Sequence, residues 1–320
     1  GVDQIELIKG ENLILTTDYH YLGDSKKLAC SYPSLASSVA SGQTILIANG
    51  NLVLTVLSTD LAAGEVTCRI ENTATIGECQ SVNLPGVNVE LPTFAEKDIH
   101  DILHFGITHQ VDFIAASFVR EASDVKHLRQ LLNEHNGQTI KIISKIQNLQ
   151  GLQNYNEILE ATDGIMVARL ELGLELPPQK VFLAQKYMIE KANIAGKYVV
   201  TATQMLESML YNPRPTRAEC SDVANAVLDG TDCVMLSGET ADGPYFEQAV
   251  RVMARTCCEA EGCRDYKHLF ISIRESVRSR YGALMPPPES LASSAVKTAI
   301  DVRASLIVVI SETGNTARMI

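Results

Sequence analysis

The eight cysteines include no C-x-x-C pair. This argues against a thioredoxin-like redox motif or a zinc ribbon. Cys257, Cys258 and Cys263 cluster, but Cys257 and Cys258 are adjacent on an expected helix, where neighbours point apart. The expectation is reduced thiols in a cytoplasmic protein rather than a disulfide framework. No apolar run approaches the roughly 20 residues of a membrane helix. Positive charge is scarce: 27 Lys and Arg stand against 38 Asp and Glu, a net charge of -11. A broad surface for nucleic acid or an anionic membrane is thereby excluded, while a local cationic pocket is not. The opening Gly1-Val2-Asp3-Gln4 is neither a Met start nor a signal peptide, and suggests a fragment.

What is present suits a globular chain. Hydrophobic residues make up 46% and charged residues 20% of 320 residues, enough for more than one domain. Residues 1–84 read as all-β, with short alternating runs at 5–8, 13–16, 44–47, 52–57, 65–70 and 79–84. Asn49-Gly50 marks a two-residue hairpin, and 34–42 a short helix or loop. No catalytic motif lies in this part. Leu84-Pro85-Gly86 reads as a boundary and Leu91-Pro92 as the lead into a helix over 96–105. His100 and His104 lie four apart on that helix and could seat a metal. Two solvated imidazoles are the stronger reading, and His109 fits no ligand pattern.

From there strands and helices alternate. Strands are expected at 112–118, 140–146, 164–168, 198–202 and 233–236, and helices at 152–161, 179–193, 222–228 and 246–260. Ser221 is the expected cap of the third helix and Gly230 its stop. Repeated βα units imply a doubly wound sheet or a (β/α) barrel. The stretch 141–173 organises the chain, because a right-handed crossover brings Lys145 and Glu171 out at the same carboxyl end. That rim also carries Arg169, Thr203, Gln204, Ser237 and Glu239. A Lys beside an acidic residue suits an anionic substrate bound through a divalent metal; an ordinary Lys–Glu ion pair explains the same spacing. After residue 266, Pro286-Pro287-Pro288 reads as a linker or sharp turn, 291–302 as helix and 305–310 as strand. The Ser/Thr/Gly-rich turn 311–316 could bind phosphate through backbone N–H groups.

Longer motifs narrow the choice. They are Ala202-Thr203-Gln204-Met205-Leu206-Glu207, Pro213-Arg214-Pro215-Thr216-Arg217-Ala218-Glu219, the run 221–230, and Met235-Leu236-Ser237-Gly238-Glu239-Thr240-Ala241. With Val82-Asn83-Leu84-Pro85-Gly86 and Glu96-Lys97-Asp98-Ile99, they closely resemble the pyruvate kinase family. The resemblance implies an α/β fold: an incomplete TIM-type (β/α) barrel, strands four to eight, over 85–265. It adds an inserted all-β lid over 1–84 and the start of a C-terminal α/β domain over 266–320. It implies transfer of a phosphoryl group from phosphoenolpyruvate to ADP, with Mg2+ or Mn2+ and K+. By resemblance Lys145, Thr203 and Ser237 are catalytic. Arg169, Leu170, Glu171 and Thr203 contact substrate, and positions 147 and 171 hold the metal.

The departures fall on the same rim. Lys145-Ile146-Gln147-Asn148 carries Gln147 where the family has a metal-binding Glu. Ala168-Arg169-Leu170-Glu171-Leu172-Gly173 has Leu170 for a Gly and Glu171 for an Asp. In the lid, Ile47-Ala48-Asn49-Gly50 lacks both family carboxylates. The family's first three barrel strands and its K+ ligands have no counterpart, so preceding residues or another chain are expected to close the barrel. Three readings follow: a working pyruvate kinase, a catalytically impaired paralogue kept as a structural or interaction subunit, or an enolate-handling lyase on a similar barrel. The resemblance implies a homo-oligomer, with residues 214–219 as a subunit contact, and no nucleic-acid or membrane partner.

Overall fold

A computed structural model describes residues 4–87, 89, 92–282 and 284–320 of the chain. The expected lead-in at Leu91-Pro92 starts on a residue outside this set. Two compact units form, residues 1–140, 145–158 and 168–182, and residues 141–144, 159–167 and 183–320.

The first unit opens with β strands: β1 (Gln4–Leu7), β2 (Asn12–Thr16), β3 (Lys27–Ala29), then the short helix α1 (Leu35–Ser38), β4 (Thr44–Ile47), β5 (Leu52–Asp60), β6 (Glu65–Ile70), β7 (Ala74–Gly77) and β8 (Val82–Asn83). Six of them pair in the order β3-β2-β6-β5-β4-β8, and β1 pairs with β7. Alternation puts Leu13, Leu15, Ile45, Leu52, Leu54, Val66 and Ile70 into one core. Two strands, β3 and β7, carry too weak an alternation to be read from sequence, and the expected strand 79–84 shortens to β8. The hairpin at Asn49-Gly50 is present, but its connection has four residues, 48–51. Ala48, Asn49 and Gly50 all take positive φ there, and the Asn51 N–H bonds the Ala48 carbonyl at 3.1 Å. Ser81 reaches this loop from outside it, its hydroxyl donating to Asn49 Oδ1 at 3.0 Å.

Helix α2 (Glu96–Asp101) runs on as a π-helical turn over Ile102–Ile107, and β9 (Phe113–Ala116) and α3 (Ala122–Glu134) follow. Next come β10 (Lys141–Ile146), α4 (Leu149–Gln153), α5 (Tyr155–Ala161), β11 (Gly164–Ala168), α6 (Arg169–Glu175) and α7 (Pro178–Ile194). The helix expected over 152–161 is broken at Asn154, whose side-chain N–H bonds the Arg120 carbonyl at 2.9 Å. Asn148 caps α4 by accepting the Gly151 N–H at 2.7 Å. Only glycine fits at 151, because a Cβ would lie 2.5 Å from the Val119 carbonyl oxygen.

The second unit continues with β12 (Tyr198–Ala202), a 3-10 turn over Glu207–Leu210, α8 (Arg217–Asp229), β13 (Cys233–Met235), α9 (Gly238–Ala241) and α10 (Phe246–Gly262). Then come α11 (Tyr266–Tyr281), α12 (Pro287–Val302) and α13 (Asn315–Met319). The five strands β9 to β13 form one sheet in strict chain order, β13-β12-β11-β10-β9. This is an α/β fold with part of a TIM-type barrel. Every residue of β11 is buried, as a strand covered on both faces should be.

Ser221 is not the cap of α8. Thr216 starts that helix, its hydroxyl accepting the Glu219 N–H while Glu219 accepts the Thr216 N–H at 2.7 Å, and Ser221 lies inside. Gly230 ends it in the left-handed conformation at φ 108°. The three prolines begin α12 rather than form a linker, since Pro at the first helical positions gives up no bonded N–H. Residues 305–310 form no strand; Leu306, Val308 and Ile310 stay exposed, with no strand paired to them among the described residues. No described helix is long and apolar enough to cross a membrane.

Candidate functional site

In the first unit the carboxyl end of β10 presents Lys145 and Gln147. Lys145 Nζ donates to Ser117 Oγ at 3.1 Å. Gln147 is 3% exposed and bridges two groups. Its Oε1 accepts the Phe118 N–H at 2.7 Å, and its Nε2 donates to Glu171 Oε1 at 3.0 Å. Both partners demand the same amide orientation, because an N–H needs an acceptor and a carboxylate a donor. Glu171 Oε2 is buried and has no hydrogen-bond partner among the described residues. Arg169 is buried beside it in sequence, and Leu170 is half-buried. The ion pair between Lys145 and Glu171 that their spacing allowed is replaced by these bonds.

Two features here were not legible beforehand. Phe118 sits at φ 52°, a left-handed conformation that costs a residue other than glycine roughly 1 kcal/mol or more. Such strain aims the Phe118 N–H at Gln147. Glu175, at the end of α6, accepts the Leu149 N–H at 2.6 Å, and burial pushes its carboxyl above the ordinary carboxylate value.

In the second unit Thr203 and Ser237 follow neighbouring parallel strands, with Ala202 of β12 opposite Met235 of β13. Thr203 and Gln204 both adopt positive φ, 69° and 54°, which is strained for a β-branched residue. The Thr203 hydroxyl donates to the Ala202 carbonyl at 2.6 Å. Glu239, 3% exposed, fixes both loops: Oε1 accepts the Leu206 N–H at 3.0 Å and Oε2 the Ser237 N–H at 2.8 Å. Glu219 does similar work nearby in the chain, accepting the Ser208 N–H at 2.7 Å and hydroxyl at 2.6 Å as well as Thr216. The T-x-x-E spacing of Thr216 and Glu219 was a readable sign of this knot. The turn 311–316 leads into a helix of only five residues, and its own Ser311 hydroxyl accepts the Gly314 N–H at 2.9 Å.

Five parallel strands in chain order with helices between them, together with the separate β sheet of the first unit, define an α/β protein that carries part of a TIM-type barrel. Comparison with known proteins narrows this. The family model for the pyruvate kinase barrel domain matches residues 1–250. A pyruvate kinase of Eimeria tenella is 54% identical over all of this chain and 59% of its own length. The cytosolic isozyme of Glycine max is 54% identical over 99% of this chain and 61% of its own. A crystal structure of a pyruvate kinase from Cryptosporidium parvum superposes with a TM-score of 0.90 at 52% identity, covering 99% of this chain and 64% of that one. This chain belongs to the pyruvate kinase family, and it spans about three-fifths of the length of these relatives.

The two-residue metal seat implied at positions 147 and 171 does not fit the residues present. Hard divalent cations favour charged oxygens. Gln147 is neutral, its oxygen is engaged by Phe118, and its N–H side faces Glu171. Glu171 Oε2 is the one carboxylate oxygen of the pair left without a hydrogen bond among the described residues, and it is buried. Among the described residues no group of three or more His, Cys, Asp or Glu is arranged to hold a metal.

Proposed function

We propose that this chain is the lid and part of the barrel of a pyruvate kinase-type phosphotransferase of glycolysis. It would take phosphoenolpyruvate and ADP, with turnover far below that of a rim bearing two carboxylates. The observation that carries this reading is the Gln147 carboxamide locked between Phe118 and Glu171. In the proposed roles Lys145, held by Ser117, places its positive charge against the phosphoryl and enolate oxygens. Arg169 and the Thr203 hydroxyl orient the substrate, and the Ser237 hydroxyl passes a proton towards the enolate carbon. Leu170 narrows the wall where a glycine would let backbone approach. The divisions at 84 and 265 into lid, barrel and C-terminal part, a homo-oligomer contact through exposed Arg214 and Arg217, and a cytoplasmic location belong to the same proposal.

The test is pyruvate formation from phosphoenolpyruvate and ADP with Mg2+ or Mn2+ and K+, using the full-length protein. The expected result is slow turnover that rises in the triple variant Gln147→Glu, Leu170→Gly, Glu171→Asp. Turnover at the rate usual for the family in the parent protein would overturn the impairment. No turnover in parent or triple variant would favour a non-catalytic subunit that keeps the barrel for its contacts.

A further inference from the structure

The rim makes no use of His100 and His104, which the sequence pattern alone leaves as two solvated rings. Three structural observations change that reading. Helix α2 does not continue in α geometry beyond Asp101 but passes into the π-helical turn. The wider i→i+5 turn brings side chains four apart closer to eclipse, and such turns are frequent at functional sites. The two imidazole ring centres lie 4.3 Å apart with 38° between their planes. Finally, Asp101 Oδ1 stands 3.5 Å from His100 Nδ1. A carboxylate on the Nδ1 side leaves Nε2 as the nitrogen for a metal, the outer-sphere arrangement common behind metal-binding histidines.

We infer that His100 and His104 form a chelating seat for one divalent transition ion that suits imidazole: nickel, copper or zinc. Two imidazoles on one ion, with metal–nitrogen bonds of about 2.0–2.1 Å and a near-tetrahedral angle, place their ring centres about 5 Å apart. The observed separation of 4.3 Å is within about 1 Å of that value. Both rings are exposed, so an ion enters from solvent and water completes its shell. Magnesium does not suit the seat, since it prefers oxygen ligands. His109 is not a member; its ring packs on Phe105 at 4.7 Å between centres. A bound ion clips the α2 turn to the π-helical turn and holds the junction in its present register.

The experiment is a calorimetric titration of the untagged protein with NiCl2. The thiols are first capped with iodoacetamide, so that exposed Cys79, Cys233, Cys258 and Cys263 cannot compete. The expected result is one saturable equivalent and a raised Tm, both lost in His100→Ala and in His104→Ala and both kept in His109→Ala. Asp101→Asn should weaken the affinity about tenfold. MgCl2 should produce neither binding nor a Tm shift by this route. Circular dichroism checks that each variant is folded, which these exposed positions favour. No saturable equivalent in the parent, or one that persists in the double variant His100→Ala, His104→Ala, overturns the inference.

Discussion

Glu239 and Glu171 are carboxylates that each follow a strand of the parallel sheet, and the protein treats them in opposite ways. Glu239 of the second unit gives each oxygen a backbone N–H, from Leu206 and Ser237. Glu171 of the first unit shares one oxygen with the Gln147 amide and leaves the other buried and unmatched. Buried polar atoms are seldom left so. The saturated carboxylate is a building part that holds the strained Thr203 loop and the Ser237 loop in place. The half-saturated one is left with an unused acceptor oxygen beside a neutral amide. Burial alone therefore does not distinguish the two carboxylates; the hydrogen bonds each one makes do.

The largest expected effect tests the saturated side. Glu239→Ala strands two N–H groups at a buried position, and the chain should lose about 3 kcal/mol in urea unfolding. A loss below about 1 kcal/mol would mean that water or relaxation replaces both bonds, and the contrast with Glu171 would collapse. Next, Gln147→Glu sets two carboxylates face to face and turns an acceptor-only group towards Glu171. Without divalent ion it should cost about 2 kcal/mol, and millimolar Mn2+ should recover most of the loss in Tm. The parent protein should show little response to Mn2+ at this rim. Equal Mn2+ responses in parent and variant would show that Gln147 is no obstacle to a cation. The smallest effect concerns Glu219. Burial pushes its carboxyl up, and the bonds from Ser208 and Thr216 outweigh this and hold it below the ordinary carboxylate value. Its contribution is thus present above the unfolded carboxyl pKa and is lost as pH falls through the lower folded value. Glu219→Gln should lower stability near neutrality, where that contribution is present, and flatten the stability–pH profile on the acid side; equal unfolding free energies of parent and variant at neutral pH would break the assignment.

Much of the framework was legible. The strand Tyr198–Ala202 matches its expected bounds and Lys141–Ile146 starts one residue later than expected, because apolar runs between turn residues can bury themselves in few other ways. Gly230 and the long helix Pro178–Ile194 were legible through their end signals. The start of α8 was missed although the T-x-x-E pattern was there, since Ser221 offered a competing local cap. The broken helix at Asn154 could not be seen, because the bond that breaks it runs to Arg120, 34 residues away. At the rim the residue identities were readable and their partners were not. Lys145 beside Glu171 invited an ion pair, yet Ser117 takes the lysine and Gln147 takes the carboxylate.

The order of residues by itself determined the alternating βα plan, the apolar strands and the neutral side chain at position 147, since these depend on period and composition along the chain. Tertiary structure alone decided that the Gln147 amide bridges Phe118 to Glu171, that Glu239 joins two loops, and that a π-helical turn draws His100 to His104. Such partnerships depend on where the backbone carries groups far apart in sequence, and on helix geometry that no local spacing rule distinguishes from an ordinary α turn.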